Sequence, residues 1–489
     1  MQPASHISTA HESGPRVNAR QRALMALWRG EGLPRVRGEP PRVAVVGAGL
    51  AGLSAARLLM QGGCRVAVFE ASTRAGGRVR TERLPSGTVL ECGGEFIDTQ
   101  HADMLALVHH LRLPLLDLQA AGEAGLQSVF FFGGQRRTEH DFDAALATLA
   151  PQIAADVERI GARPTRARHT PADERFDRQS IAEYLQRLDC DAWVRQALEV
   201  AYVTVYGLDA GEQSALNLLT LVGVSASRGI SVFGSSDERY KLRDGSAGVT
   251  DVLAAELNGR LYPGHRLVRL QPNGSSYRLA LKRDAAATVE VVADAVVLAL
   301  PFTLLRQVEM GTMFSPAKHR AIAELGYGTN SKLMLGMQSR PWRVGGFEGG
   351  IYTDLPLQST WDSSRGRTPA SPAIFTFYLG GGPGMAIGEG STADQARHHA
   401  VLADRVFPSF TAAWGGLARR VHWPGEPLAL GSYTCYRPGQ WTTLGGDEAR
   451  SEGRVQFAGE HCATGSQGYM DGAVGSGRRA ALALLRRFS

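Results

Sequence analysis

Residues 43–78 read VAVVGAGLAGLSAARLLMQGGCRVAVFEASTRAGGR, and the rest of the chain is organised around them. An apolar run from Val43 to Val46 predicts a buried strand that stops at Gly47. Gly47-Ala48-Gly49-Leu50-Ala51-Gly52 then opens a helix running to about Met60, and a second strand, Arg65 to Phe69, ends at Glu70. The pattern is a βαβ unit with three glycines at its first turn and an acid closing its second strand. Gly47 permits the tight turn, Gly49 lets a pyrophosphate approach the backbone, and Gly52 lets the helix pack close to the strand. The helix N-terminus offers free N–H groups and a partial positive charge to phosphates. Glu70, 18 residues past Gly52, can accept hydrogen bonds from ribose hydroxyls. A Gly-X-Gly-X-X-Gly alone is weak, but one set between a strand and a helix with the acid in place predicts dinucleotide binding. The acid disfavours a 2′-phosphate and so NADP; NAD and FAD both stay open.

At 489 residues and 44% hydrophobic, the chain calls for two domains or more. Its 53 basic and 47 acidic residues are mixed along the sequence, and no dense basic block is interleaved with aromatics. That excludes a nucleic-acid partner from the reading. Five cysteines (Cys64, Cys92, Cys190, Cys435, Cys462) are scattered without a C-X-X-C, so neither a metal nor a disulfide framework is expected, and a cytoplasmic location is. His109-His110 and His398-His399 are helix neighbours that point to different faces, which does not suit a metal. No run of about 18 apolar residues occurs, so the expectation is a soluble protein without an integral membrane segment. No export signal is visible at the N-terminus.

The fold class expected is α/β: a Rossmann-like dinucleotide-binding domain with an interleaved mixed α+β substrate domain. Residues 1–40 read as a flexible tail with at most a short helix over Gln21–Trp28. Residues 41–120 form the first part of the nucleotide domain, including the paired Gly93-Gly94 and a helix from Ala102 to Leu111. Residues 121–240 are the helical part of the substrate domain, with apolar spacings of three and four over 142–160 and 180–203 and a loop over Gly161–Asp177. Residues 241–301 return to the nucleotide domain, with strands over 265–271, 277–283 and 287–301. Residues 302–420 supply the sheet part of the substrate domain, with strands at 332–338 and 373–381 and a helix over 392–406. The Gly380–Gly384 stretch reads as a mobile turn. Residues 421–489 close the nucleotide domain with strand, turn and helix.

Three stretches together carry a family resemblance: the glycine unit, Gly76-Gly77-Arg78, and the terminal FAGEH (457–461) followed by QGYMDGAVGSGRRAA (467–481). In this order, from about residue 40 to 487, they resemble the flavin-dependent amine oxidase superfamily, which includes monoamine, polyamine and L-amino-acid oxidases. The resemblance resolves the cofactor as FAD. It implies that Gly47, Gly49 and Gly52, with Ala51, hold the pyrophosphate, and that Glu70, with Ala71, holds the adenosine ribose. Gly77 and Arg78 would lie near the phosphates and the flavin, and Gly93, Gly94 and Glu95 along the flavin edge. Val268 matches a valine whose backbone meets adenine. Gly459 and Glu460 match the position near the phosphates and ribityl chain. Trp423, Gly468, Tyr469 and Met470 match residues that meet the flavin. The helix after Met470 would point its N-terminus at the N1–C2=O edge, favouring the anionic reduced flavin.

Three further matches concern the reaction. Lys332, in NSKLMLGM, resembles the family's flavin-facing lysine, which in relatives holds a water against flavin N5; its apolar neighbours mean that a buried ammonium needs a partner. Tyr433 and Tyr469 match two aromatic walls that desolvate an amine and align its C–H. The activity implied is oxidation of an amine by hydride transfer from the α-carbon to flavin N5, giving an imine and then aldehyde or ketone plus ammonia, with O2 reduced to H2O2. The alternative is an L-amino-acid oxidase that makes a 2-oxo acid.

Two departures matter. Relatives that tether their flavin have a cysteine before the cage tyrosine, whereas this chain has Ser432, which predicts non-covalent FAD. L-Amino-acid oxidases place an arginine after the second glycine pair, whereas GGEFIDTQH supplies Glu95 and Asp98; an arginine from the helical insertion or from 340–343 would restore that reading. Partners expected are a small amine or amino acid and O2, and a homodimer is compatible with the sequence.

Overall fold

The computed structural model describes residues 17–120, 123, 125–225, 229–283, 287–367 and 372–489. The first 16 residues of the expected tail, and the expected boundary at residue 121, lie outside these.

Strands Arg42–Val46, Arg65–Phe69, Leu261–Tyr262, Ala295–Leu298 and Val455–Phe457 form one parallel sheet. The order is 261–262, 65–69, 42–46, 295–298, 455–457. Because side chains alternate along a strand, both faces must be covered. Val43, Val45, Val66, Val68, Ala295 and Val297 pack against helices Leu50–Gln61, Ala102–His110, Ala247–Glu256 and Met470–Phe488. Ala44, Val46, Phe69, Val296 and Leu298 pack on the other side, against the antiparallel strands His265–Asn273 and Ser276–Arg283 and the segment around Phe302 and Ile322.

A second sheet has seven strands, in the order 414–422, 331–337, 373–379, 359–362, 347–353, 127–132, 135–137. Neighbours run antiparallel except 347–353 with 127–132. A helical cluster between residues 139 and 221 buries Phe142, Phe176, Tyr184 and Tyr202 beside it.

Three expectations are overturned and a fourth is extended: the short helix expected over Gln21–Trp28 of the tail runs from Ala19 to Trp28, with an Asn18–Gln21 capping box. Its Trp28 and Leu24 are buried in the core beside the parallel sheet, which anchors the stretch. The expected loop 161–177 contains a helix, Pro171–Asp177, started by a Thr170–Asp173 capping box. The single strand expected over 287–301 is two strands, Ala287–Ala293 and Ala295–Leu298, in different sheets. Asp294 marks the change: its N–H donates to the Arg42 carbonyl (2.8 Å) and its carboxylate pairs with the Arg42 guanidinium (2.8 Å). Gly380–Gly384, read as a mobile turn, opens the helix Gly381–Ala386, and the Gly382 N–H donates to Asp209 at 2.9 Å.

Candidate active site

The glycine turn folds as its sequence requires. Gly47 has φ +99°, and a Cβ on Gly52 would lie 1.9 Å from the Gly47 carbonyl oxygen. Gly49 caps the helix Leu50–Gln61 and supplies no side-chain acceptor, so the first N–H groups of the helix are left for a ligand. The Met470–Phe488 helix likewise starts at Tyr469 with no side-chain cap. A Cβ on its Gly477 would lie 2.2 Å from the Ala51 carbonyl oxygen, so small residues bring the two helices into backbone contact. Both N-termini open onto one cavity of about 2210 Å3. Ordinary small-ligand sites run to about 1,000 Å3, so this one has room for a dinucleotide and a substrate together.

Glu70 borders the cavity, its carboxylate fixed by the N–H groups of Ala48 (2.7 Å) and Ser72 (2.8 Å). Burial raises its pKa, and those N–H groups oppose the rise. Arg78 bonds Glu460 at 2.9 Å and the Ser432 carbonyl. Glu460 also accepts the Gly468 N–H at 3.1 Å, so one ion pair ties the Arg78 turn to the loop carrying Tyr469.

The far end of the cavity is walled by the seven-stranded sheet. Cross-strand register puts Lys332, Tyr378, Ser359, Trp361 and Tyr352 on the same face. Leu333 and Leu335 point into the opposite core. Lys332 Nζ is surrounded by three acceptors at 3.0 Å: the carbonyls of Glu91 and Gly93, and Glu95 Oε2. Glu95 Oε1 lies 2.7 Å from Lys241 Nζ, which also donates to the Ser363 carbonyl at 2.7 Å. Trp361 donates from Nε1 to Glu95 at 3.2 Å, and the Lys332 ammonium sits 5.1 Å from its ring centroid. Burial alone would raise the Glu95 pKa, but the two ammonium groups overcome it and hold the carboxyl at about 2. Glu91 is pushed up to about 7, by burial and then by the Glu95 charge.

Tyr433 bonds the Tyr378 hydroxyl at 2.8 Å and the Thr204 carbonyl at 3.3 Å. Its ring faces Gly468, just before Tyr469. The Tyr469 ring packs on His101, with centroids 4.9 Å apart.

Residues 50–485 match the family described as flavin containing amine oxidoreductase. The chain belongs to this family. It is 26% identical to an L-amino acid dehydrogenase of Synechocystis, over 90% of this chain and 94% of that one. It is 25% identical to the flavin-containing amine oxidase of Danio rerio, over 90% and 84%. The fold is that of a putrescine oxidase structure, with TM-score 0.78 at 22% identity over 92% of this chain and 100% of that one.

A member of this family uses a flavin, and the residues present fit one. Two uncapped helix N-termini suit phosphate and the electron-rich edge of the ring, and the anchored Glu70 suits a ribose. Gly47, Gly49, Ala51, Glu70, Ala71, Gly77, Arg78, Gly93, Gly94, Glu95, Trp423, Gly459, Glu460, Gly468, Tyr469 and Met470 all border the cavity, as do Lys332 and Tyr433. Two expected residues do not. Gly52 acts behind the turn, and Val268 gives its carbonyl to the Glu309 N–H (2.9 Å) away from the cavity. Glu95 borders the cavity, but its carboxylate is engaged by two lysines and a tryptophan.

Sequence reading missed Lys241, Tyr378, Tyr352 and Glu238. Alternation along their strands could have flagged the two tyrosines; Lys241 and Glu238 gave no local signal. Among the described residues no metal-binding cluster is present, and no helix is long and apolar enough to cross a membrane.

Proposed function

We propose that this chain is an FAD-dependent amine oxidase with non-covalently held cofactor. The observation that carries this reading is the continuity of one cavity, from the glycine turn to a wall made of Tyr433, Tyr469, Tyr378, Trp361 and Lys332. A bound flavin would supply the redox chemistry, as acceptor of the hydride from the amine α-carbon and donor of the electrons to O2, giving H2O2. The chain supplies the rest. The tyrosine walls exclude water and orient the neutral amine, with Tyr378 fixing the Tyr433 ring through its hydroxyl. Glu95 holds the Lys332 ammonium in place at the cavity wall. No general base is required for hydride loss from a neutral amine, and the imine that results is hydrolysed to aldehyde or ketone and ammonia.

Non-covalent binding is supported by the cysteines. None of the five borders the cavity, and the buried Ser432 hydroxyl donates to Asn330 at 2.7 Å.

The names of relatives such as the Synechocystis L-amino acid dehydrogenase favour a second reading, oxidation of L-amino acids. The arginines near the sheet weigh against it. Arg239 pairs with Asp117 (2.8 Å), Arg365 with Glu348 and Glu123, Arg340 with Asp362 (3.1 Å) and Arg343 with Glu123 (2.8 Å). Each of these four guanidinium groups already has a carboxylate.

The test is a peroxide-coupled panel of amines, polyamines and L-amino acids on the flavin-loaded protein, repeated with an artificial electron acceptor. Peroxide from amines supports the proposal. Turnover only of amino acids would replace it with the second reading, and turnover only with the artificial acceptor would make the protein a dehydrogenase.

A further inference from the structure

Glu238 is the one carboxylate of the sheet end of the cavity that the arrangement above leaves unexplained. It follows Asp237, whose carboxylate accepts the Thr99 N–H and hydroxyl, and precedes Arg239, which is paired with Asp117. Its own backbone has φ +41°, rare for a side chain of this size, and its N–H is held by Asp98 Oδ1 at 2.9 Å. The side chain points into the cavity, enclosed by the cavity walls. Among the described residues its carboxylate has no hydrogen-bond or ion-pair partner.

Its surroundings make that costly. Desolvation within the cavity walls raises its pKa, Asp98, Glu95 and Glu348 raise it further, and Lys332, the cation that opposes them, is already engaged by Glu95. Glu238 also lies within electrostatic range of the Tyr352, Tyr378 and Tyr469 phenols. The last two belong to the wall where the reacting amine is proposed to sit. A carboxylate without a partner, lining the same cavity as Tyr352, Tyr378 and Tyr469 and with Arg239, Arg340, Arg343 and Arg365 already paired, is complementary to a cation: the carboxylate supplies charge and aromatic walls suit cation–π contact.

We propose that Glu238 receives a second, non-reacting cationic group of the substrate. The preferred substrates are then diamines, or monoamines with a distal ammonium or guanidinium group. This rests on the amine-oxidase reading and sharpens it. One nitrogen, neutral, lies among the tyrosines and loses hydride from its α-carbon; the other, cationic, is held by Glu238 and sets how far the chain extends.

The test compares diaminoalkanes, from diaminopropane to diaminohexane, with alkylamines of the same lengths, on the FAD-loaded full chain and its E238Q and E238D variants. Flavin absorbance and melting temperature confirm that each variant is folded and loaded. The wild type is expected to prefer diamines in kcat/KM, and E238Q to lower the diamine-to-alkylamine ratio at least about tenfold, mainly through KM. E238D, shorter by one methylene, is expected to move the best diamine to a longer chain, which a merely structural role would not do. Diamines no better than alkylamines in the wild type, or a preference that survives E238Q, would overturn the inference and leave the amine-oxidase reading standing. Failure of every amine to reduce the flavin would overturn both.

Discussion

Lys332 Nζ and Glu95 Oε2 lie 3.0 Å apart, both almost fully buried, at the point where the sheet face meets the turn after Gly93-Gly94. The same carboxylate holds Lys241 at 2.7 Å, so two ammonium groups depend on one anion. A buried pair of this kind does little for stability by itself, because desolvation offsets attraction. What it does is forbid the loss of either side alone.

E95Q is therefore expected to destabilise the protein by about 3–5 kcal/mol, since it leaves two buried cations short of their anion. Urea unfolding measures the loss. The E95Q/K332M double variant should lose less than the sum of the single variants.

The same carboxyl predicts an acid transition. Its folded pKa of about 2 lies below the ordinary value of 4.5. A depressed acid contributes stability above its unfolded pKa and loses it as pH falls toward its folded one. Melting temperature should drop between pH 4.5 and 2, and the Glu95 contribution to that drop should vanish in E95Q.

Gly52 tests the cofactor cradle. Alanine would place its Cβ 1.9 Å from the Gly47 carbonyl oxygen, so the turn must open. G52A is expected to purify with little flavin and to need at least about tenfold more added FAD for half-saturation.

Tyr433 separates wall from hydrogen bond. Y433F keeps the ring and loses the bond to Tyr378, an expected cost of about 1 kcal/mol or roughly fivefold in kcat/KM. Y433A removes the wall and should cost distinctly more. Equal effects would mean that the ring face plays no part.

Glu238 gives a second pH signature. Burial, then the Asp98, Glu95 and Glu348 charges, lift its pKa to about 8, while Lys332 acts the other way. It becomes a carboxylate as pH rises through that value. With a guanidinium-tailed amine, whose tail stays charged, the KM advantage over an alkylamine should widen between pH 7 and 9, and E238Q should flatten it.

Much of the nucleotide half was legible because its signals are local. A glycine turn, an apolar run and a closing acid fall within a few dozen residues, and each has one physical use. Lys332 could be named only by resemblance, and its partner not at all. Glu95 is 237 positions away in sequence, and a buried pair leaves no periodicity behind. The short helix ending at Trp28 was legible in outline, but not that its Leu24 and Trp28 bury against the parallel-sheet core. The split at Asp294 was hidden because the two strands, which belong to different sheets, follow one another with a single residue between them.

The contact between Gly477 and Ala51 has a consequence for how the protein is made. The cradle needs residues near 47–52 and residues near 459–477, so most of the polypeptide must emerge from the ribosome before the site exists. Until then the βαβ unit leaves bare the part of the Leu50–Gln61 helix that Met470–Phe488 covers. The cavity is thus assembled from stretches about 400 residues apart, and residues 47–52 alone make only one side of it.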